Sequence, residues 1–517
     1  PHGDGATGRM SKSGNFFALL EKKLRAAGDA PAFETADGAI LTFAQLLDEV
    51  GRSAAALISL GVQPGDRVLV QAEKSLPNVF LYLATLKIGA VFNPLNTAYT
   101  TAELEYFIGD AEPTVIVVAP ERVADIKRAA KASKVRSIQT MAADGSGTFA
   151  ALAAKQKPHQ ATAPRSTDDL ASLIYTSGTT GRSKGAMITH GNIASNAKAL
   201  HAYWDFVPGD VLLHALPIFH VHGLFVALHT ALLNASRILW MPKFELATFM
   251  RLLPRATVIM GVPTFYTRLL GDPAFGKEQC QNLRLAVSGS APLLAETHKE
   301  FRARTGLAIL ERYGMTEAGM ITSNPYKGGR RVAGTVGYPL PGVSVRITDS
   351  EGRVLPPGKV GVLEVKGPNV FKGYWRNPEK TKAEFRKGYF VSGDLARMGK
   401  DGRVTIVGRA KDLIITGGFN VYPIEVEGEI NSLPGIGESA VVGVPHPDFG
   451  EGIIAVVTAA PGGSAPSEAD IINSLAQRLA KFKLPKRVFL AGDLPRNAMG
   501  KVQKANLSKQ YRETFKA

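Results

Sequence analysis

The sequence predicts an α/β protein with parallel-rich sheets, followed by a β-rich stretch and a small α+β region at the C-terminal end. Three observations carry that prediction. Short β-branched runs recur between residues 67 and 288 with helical patterns between them, the rhythm of strands buried under helices. Beyond residue 330 the text turns to short strands punctuated by Gly and Pro. From about residue 410 it becomes a compact alternation of strands and helices.

In chain order, residues 17–60 read as helices broken by a turn at 35–38. A strand is expected at 67–71, a helix at 76–88 and a buried strand at 114–118, with further strands at 171–176, 257–260 and 285–288. The β-rich stretch supplies strands at 343–348, 361–366 and 403–407. A domain boundary is expected at 409–412. After it come a strand at 413–416, a helix from Pro423, strands at 440–444 and 453–459, and a helix over 469–481.

A chain of 517 residues exceeds one ordinary core, so more than one domain is expected. Hydrophobic residues make up 45% and charged residues 21%, a globular composition. Cys280 is the single cysteine, so no intramolecular disulfide can form and a cytoplasmic location is expected. The net charge of +16 is scattered rather than gathered into a basic arm, which argues against nucleic acid and for the collection of anionic small molecules. Residues 1–9 read as a tag remnant, and no apolar run precedes Phe16 to act as a secretory signal. The stretch 211–236 lacks Asp, Glu, Lys and Arg, but its His214, His220, His222, His229, Pro217 and Asn234 make it a buried strand, loop and helix rather than a membrane span.

The densest chemistry follows the strand at 171–176. Thr176, Ser177, Gly178, Thr179, Thr180, Gly181, Arg182, Ser183, Lys184 and Gly185 combine flexible backbone, hydroxyls and two cations. Glycines let backbone N–H groups close on an anion, and hydroxyls and cations bind phosphate oxygens. The loop is not a Walker A sequence, because no glycine precedes Lys184 and no Ser or Thr follows it.

This loop resembles the signature of the adenylate-forming superfamily, which contains acyl-CoA synthetases, luciferases and non-ribosomal adenylation domains. Four further segments resemble the family's later motifs, in its order: Tyr313, Gly314, Met315, Thr316 and Glu317; Ser392 to Asp394; Gly408 to Asp412; and Pro495 to Lys501. The resemblance implies a large N-terminal domain, 10–409, of two α/β subdomains and a β-rich subdomain, and a small mobile C-terminal domain, 410–517. It implies ATP, Mg²⁺ and coenzyme A as cofactor and co-substrates, with catalytic roles for Lys501, Thr316, Glu317 and His220. By resemblance Glu317 holds the metal, and Thr316 contacts the α-phosphate. Asp394 and Arg409 take the ribose, Ser290, Ala291 and Pro292 with Glu311, Arg312 and Tyr313 flank the adenine, Lys411 is the hinge, and Gly417 and Gly418 line the coenzyme A tunnel.

The acid is read from two segments. Residues 217–223, with His220 and His222, resemble the family's acyl-pocket motif, and Arg268 closes a segment, 260–268, that resembles the malonyl-CoA synthetases. A desolvated second carboxylate must be paired, at a cost of about 3–5 kcal/mol if it is not, and Arg offers a planar fork for it. Arg268, Ser288 and His222 are therefore the expected carboxylate partners, and malonate the expected acid. Methylmalonate is an expected second substrate, since one methyl is discriminated by only about 1–3 kcal/mol. The alternatives are a medium-chain or 4-coumarate-like synthetase, a stand-alone adenylation domain, and a nucleotide-binding module without turnover. No nucleic-acid or membrane partner is expected. A lysine acetyltransferase acting at Lys501 is a candidate partner, because acetylation would remove the charge that adenylation uses.

Overall fold

The computed structural model describes residues 13–176, 183–417, 419–479, 481–497 and 500–516. Two parallel-rich sheets form the body. One has six strands, in the order Ser137–Thr140, Val115–Val118, Arg67–Gln71, Val91–Pro94, Leu170–Thr176 and Lys184–Thr189. Its neighbours are parallel except at the last edge, where Lys184–Thr189 turns back on Leu170–Thr176. The other has nine strands, and its parallel centre runs Leu310–Met315, Leu285–Ser288, Val258–Gly261, Val211–His214, Arg237–Trp240 and Pro31–Thr35.

Between the sheets lies the helix Leu76–Lys87, whose described side chains are almost all buried, with Ser75 capping its first turn by accepting from the Asn78 amide. Capping of this kind satisfies an end donor that the helix itself cannot. A helix apolar all round belongs in a core, and one continuous apolar cluster joins Val68 and Val115 of the first sheet to Val258 and Leu285 of the second. The same cluster reaches Leu363, Val365 and Phe390 of an antiparallel five-stranded sheet built on Gly361–Lys366 and Tyr389–Met398. The last sheet begins at Ile414–Thr416 and has cores of its own, around Ile430, Val441 and Ile471 on one face and Val442, Val456 and Leu507 on the other. Among the described residues no helix is long and apolar enough to cross a membrane.

Two elements differ from those expected. The stretch 17–60 contains the strand Pro31–Thr35, which pairs in parallel with Arg237–Trp240. Such burial is created by a distant partner, not by local alternation. The helix expected over 469–481 ends at Ala476, with Gln477 as its C-cap, and a separate short turn follows at Lys481–Lys483. In the buried stretch 211–236, the strand Val211–His214 leads through a loop into a π-helix, His222–Leu228, and then His229–Leu233. π turns are rare and often mark functional sites.

Candidate active site

The site is assembled where the strands of both large sheets end. Thr176 closes Leu170–Thr176 and faces Lys184 across the antiparallel pair. The residues between them that were read as a phosphate loop, Ser177, Gly178, Thr179, Thr180 and Gly181, lie outside the described residues, as does Gly418. Lys184 reaches over the ring of Tyr374, 5.8 Å from its centroid. The Tyr374 hydroxyl in turn donates to Glu317 Oε1 at 3.1 Å.

Glu317 stands at the turn between Leu310–Met315 and Gly319–Ser323 beside the half-buried Thr316. Only 8% exposed, it has no cation at ion-pair distance among the described residues, and burial pushes its carboxyl above the usual range. A lone buried carboxylate with one neutral donor suits Mg²⁺, which is commonly held by one or two carboxylates plus substrate phosphates. Gly314 is required just before it, since a Cβ there would lie 2.3 Å from the Gly319 carbonyl oxygen.

On the next sheet Asp394 and Arg409 face one another across adjacent strands, with Arg409 Nε 2.7 Å from Asp394 Oδ1. The Tyr313 hydroxyl donates to the other oxygen, Oδ2. Burial raises the Asp394 carboxyl, and Arg409 and Tyr313 oppose that rise. Each oxygen keeps lone-pair capacity for a hydroxyl donor. Glu311 is buried with no cation paired to it among the described residues and accepts from the Gly334 amide at 3.1 Å; burial pushes it up to about 8.

A third group surrounds the end of Leu285–Ser288. Ser290 holds a left-handed backbone, φ 70°, a conformation that is uncommon outside glycine and clusters at functional sites. Its Oγ lies 3.2 Å from His222 Nδ1, while Ala291 and Pro292 beyond it are exposed. His222 is buried and its Nε2 has no partner among the described residues; the same is true of Ser288 Oγ and of Arg312 Nε and Nη2. Burial first, and the Arg312 charge second, keeps His222 neutral. Burial likewise brings His220 down to about 3, with Lys501 and Arg312 adding to it. Arg312 is 5% exposed with no carboxylate paired to it among the described residues, and burial lowers it to about 9. Unpartnered buried polar atoms are rare, and these four belong to three neighbouring residues: Ser288 pairs with Glu311 across the sheet, the Arg312 guanidinium lies against Gly289, and His222 meets Ser290.

Arg268, expected as the carboxylate partner, lies on the exposed side of the helix Pro263–Gly271, with its guanidinium 5.8 Å from the Phe244 ring centroid. The structure thus separates the two guanidiniums by environment: Arg268 faces solvent and Arg312 is sealed. The sequence reading put Arg312 beside adenine on its motif alone. Its missing partner is visible only once burial is known.

Lys501 sits on a tight hairpin in which the Asn497 amide donates to the Lys501 carbonyl at 2.9 Å and the Gln503 amide to the Pro495 carbonyl at 2.7 Å. The residue is exposed as a whole, yet its ammonium lies in the shared field of Arg409, Asp394, Glu317 and Lys411. Desolvation lowers it, Arg409 adds to the fall, and Asp394 and Glu317 oppose it. Lys501 therefore lies toward Asp394 and Arg409 of the five-stranded sheet and the turn that carries Glu317. Lys411 is exposed in the short turn Ala410–Asp412, which joins the strand Val404–Arg409 to Ile414–Thr416 of the last sheet. Gly417 has φ 56°, its amide donates to the Phe449 carbonyl at 2.9 Å, and a Cβ would lie 3.2 Å from the Phe449 ring.

Residues 20–375 match the family model "AMP-binding enzyme", and residues 425–501 match "AMP-binding enzyme C-terminal domain". Among characterised relatives, the feruloyl-CoA synthase of an Amycolatopsis species is 36% identical, over 92% of this chain and 94% of that protein. The malonate–CoA ligase of Arabidopsis thaliana is 35% identical, over 87% and 78%. Among solved structures, MatB from Rhodopseudomonas palustris is 53% identical, over 98% of this chain and 100% of that one. The TM-score is 0.94 against its ATP-bound form and 0.84 against its apo form. Identity is the same in both comparisons, so the difference is conformational, and the arrangement here is nearer the ATP-bound one.

Proposed function

Starting from the fact that this chain belongs to the AMP-binding enzyme family, we propose that it converts malonate, ATP and coenzyme A to malonyl-CoA, AMP and pyrophosphate. A malonate oxygen attacks the α-phosphorus of ATP, and the bond to pyrophosphate breaks. The thiol of coenzyme A then attacks the carbonyl of the acyl-adenylate, AMP leaves, and the thiol proton is lost to a base or to solvent. The observation that carries the choice of acid is the buried guanidinium of Arg312, which with Ser288 Oγ and His222 Nε2 has no partner among the described residues. A fatty or aromatic acid has nothing to offer such a group, whereas the second carboxylate of malonate pairs with it. The malonate–CoA ligase relative supports the same reading.

In this reading Arg312, Ser288 and His222 hold the distal carboxylate, and Arg268 draws the dianion in from solvent. Neutral His220 orients the reacting carboxylate. Thr176 and Lys184, with the loop between them, take the phosphates. Glu317, steadied by Tyr374, would hold Mg²⁺, which when bound neutralises phosphate charge and polarises the α-phosphate. Asp394 and Arg409 receive the ribose, with Glu311 and Tyr313 on the adenine side. Lys501 places a cation between the two reacting anions. Residues 410–517 then act as a mobile domain turning at Lys411, which withdraws Lys501 and brings Gly417 and Gly418 to the thiol's path. Acetylation of Lys501 would stop the first step alone, and Lys501→Gln should copy that loss. Cys280, buried and with its thiol pushed up to about 12, suits a reducing cytoplasm.

The feruloyl-CoA synthase relative, at near-equal identity, favours an aromatic acid as the second reading. Offering malonate and ferulate together with ATP, Mg²⁺ and coenzyme A, and weighing the thioesters by mass spectrometry, separates the two. Malonyl-CoA is the expected product; a predominance of feruloyl-CoA rejects the malonate pocket and keeps the family.

A further inference from the structure

Lys74 is a lysine buried to 6% exposure with no acid paired to it among the described residues. It lies between the strand Arg67–Gln71 and the helix Leu76–Lys87, at the end of the six-stranded sheet. Its ammonium reaches the other large sheet. Nζ donates to the carbonyls of His214 at 3.0 Å and Met241 at 2.6 Å, lies 2.9 Å from His214 Nδ1, and sits 4.1 Å from the Trp240 ring centroid.

The protonation of this cluster follows from its acceptors. His214 Nε2 lies 2.8 Å from the Gly223 carbonyl, which can only accept, so Nε2 carries the hydrogen. Burial and the neighbouring Lys74 hold His214 neutral, which leaves Nδ1 bare. Three acceptors therefore surround Nζ, and only an ammonium has three donors for them. Burial pushes the other way, and the acceptors with the indole face hold the charge.

His214 and Gly223 flank the segment 215–222, which runs from the end of the strand into the first residue of the π-helix and contains His220 and His222. The His214 ring thus closes the loop at its base. The loop folds tightly on itself, because a Cβ at Gly223 would stand 2.0 Å from the Pro217 carbonyl oxygen. Lys74 also lines, with Pro217, Ile218 and Phe219 of the same loop, a cavity of about 230 Å³.

We propose that Lys74 is a positioning residue for adenylation: by fixing the His214 ring against Gly223, it holds the histidine loop in register with the acid site and ties that loop to the first sheet. This rests on the reading above, in which His220 and His222 meet the acid. In this role Lys74 acts through His214, since its three donors are taken by His214 and Met241.

The test uses Lys74→Met, Lys74→Gln and His214→Phe, singly and with Lys74→Met and His214→Phe combined, in the full chain. Wild-type turnover of malonate in the same assay checks the underlying reading separately. Lys74→Met is expected to lower kcat for pyrophosphate release by about 10- to 100-fold, since small misplacements of reacting groups have effects of that size. The KM for ATP should move less than about threefold, because uniform binding is untouched. The double variant should be no slower than the slower single, as expected when one residue acts through the other. Selective ¹⁵N-histidine NMR should show the His214 and His222 ring signals displaced in both Lys74 variants. Full kcat in the folded Lys74→Gln enzyme at low temperature, or strict multiplication of the two single effects, would overturn the proposal and leave Lys74 a purely structural residue.

Discussion

The guanidinium of Arg312 occupies the space that a side chain at position 289 would fill: its Cζ would lie 2.1 Å from a Cβ built on Gly289. Glycine at 289 is thus needed for the cation, not for the turn. Gly289→Ala must push Arg312 aside, and a sealed side chain has little room to move. The expected result is a fall of about 100-fold in kcat/KM for malonate, with a loss of stability of about 1–3 kcal/mol. Steady-state kinetics and urea unfolding measure the two.

Arg312→Met removes a buried charge that no carboxylate balances and leaves an apolar side chain of similar length. Replacements of buried charge by well-packed apolar groups are often neutral or stabilising, by about 1–4 kcal/mol. The expected outcome is an enzyme at least as stable as wild type that no longer adenylates malonate. A marked drop in Tm on calorimetry would show that Arg312 serves the fold instead of the ligand.

Glu311 gives a pH signature. Its carboxyl is pushed up to about 8 in the folded chain against an ordinary value of 4.5. Below pH 4.5 both folded and unfolded chains hold the proton and Glu311 exacts no penalty. Between 4.5 and 8 only the folded chain retains it, so stability falls as pH rises, at up to about 1.4 kcal/mol per pH unit from this group. Glu311→Gln should therefore gain on wild type between pH 5 and 8, with the gap level above 8. Parallel unfolding curves across pH measure it, and a constant gap would mean that Glu311 is ionised throughout.

Lys501 separates the half-reactions. Its ammonium shares the field of Asp394, Glu317 and Arg409. Lys501→Ala should slow adenylation by about 100- to 1,000-fold, the usual scale for a group aimed at developing charge. With synthetic malonyl-adenylate and coenzyme A, thioester formation should stay within about threefold of wild type if the lysine is withdrawn for that step.

The parts of the molecule legible in the sequence were those written locally. The strands Arg67–Gln71, Leu285–Ser288 and Gly361–Lys366 stand where β-branched runs between turn residues put them. The strand Pro31–Thr35 was not legible, because its burial comes from pairing with Arg237–Trp240. The site divides in the same way. Tyr313, Glu317, Asp394, Arg409 and Lys501 come from short motifs whose order in the chain can be read directly. The link from Tyr374 to Glu317, the solvent-facing position of Arg268 and the clamp of Lys74 on His214 depend on which distant strands end side by side. Arg312 is the clearest case. Its motif drew attention to it, but only a census of donors and acceptors reveals a cation without a partner.

The most direct test of the central claim is pyrophosphate release with ATP and Mg²⁺ across a panel of acids, for wild type and Arg312→Met side by side. Malonate should be the preferred acid, methylmalonate should follow within about 10- to 200-fold, and the variant should lose both. Faster turnover of ferulate or octanoate than of malonate, or unchanged malonate turnover in Arg312→Met, would contradict the dicarboxylate pocket.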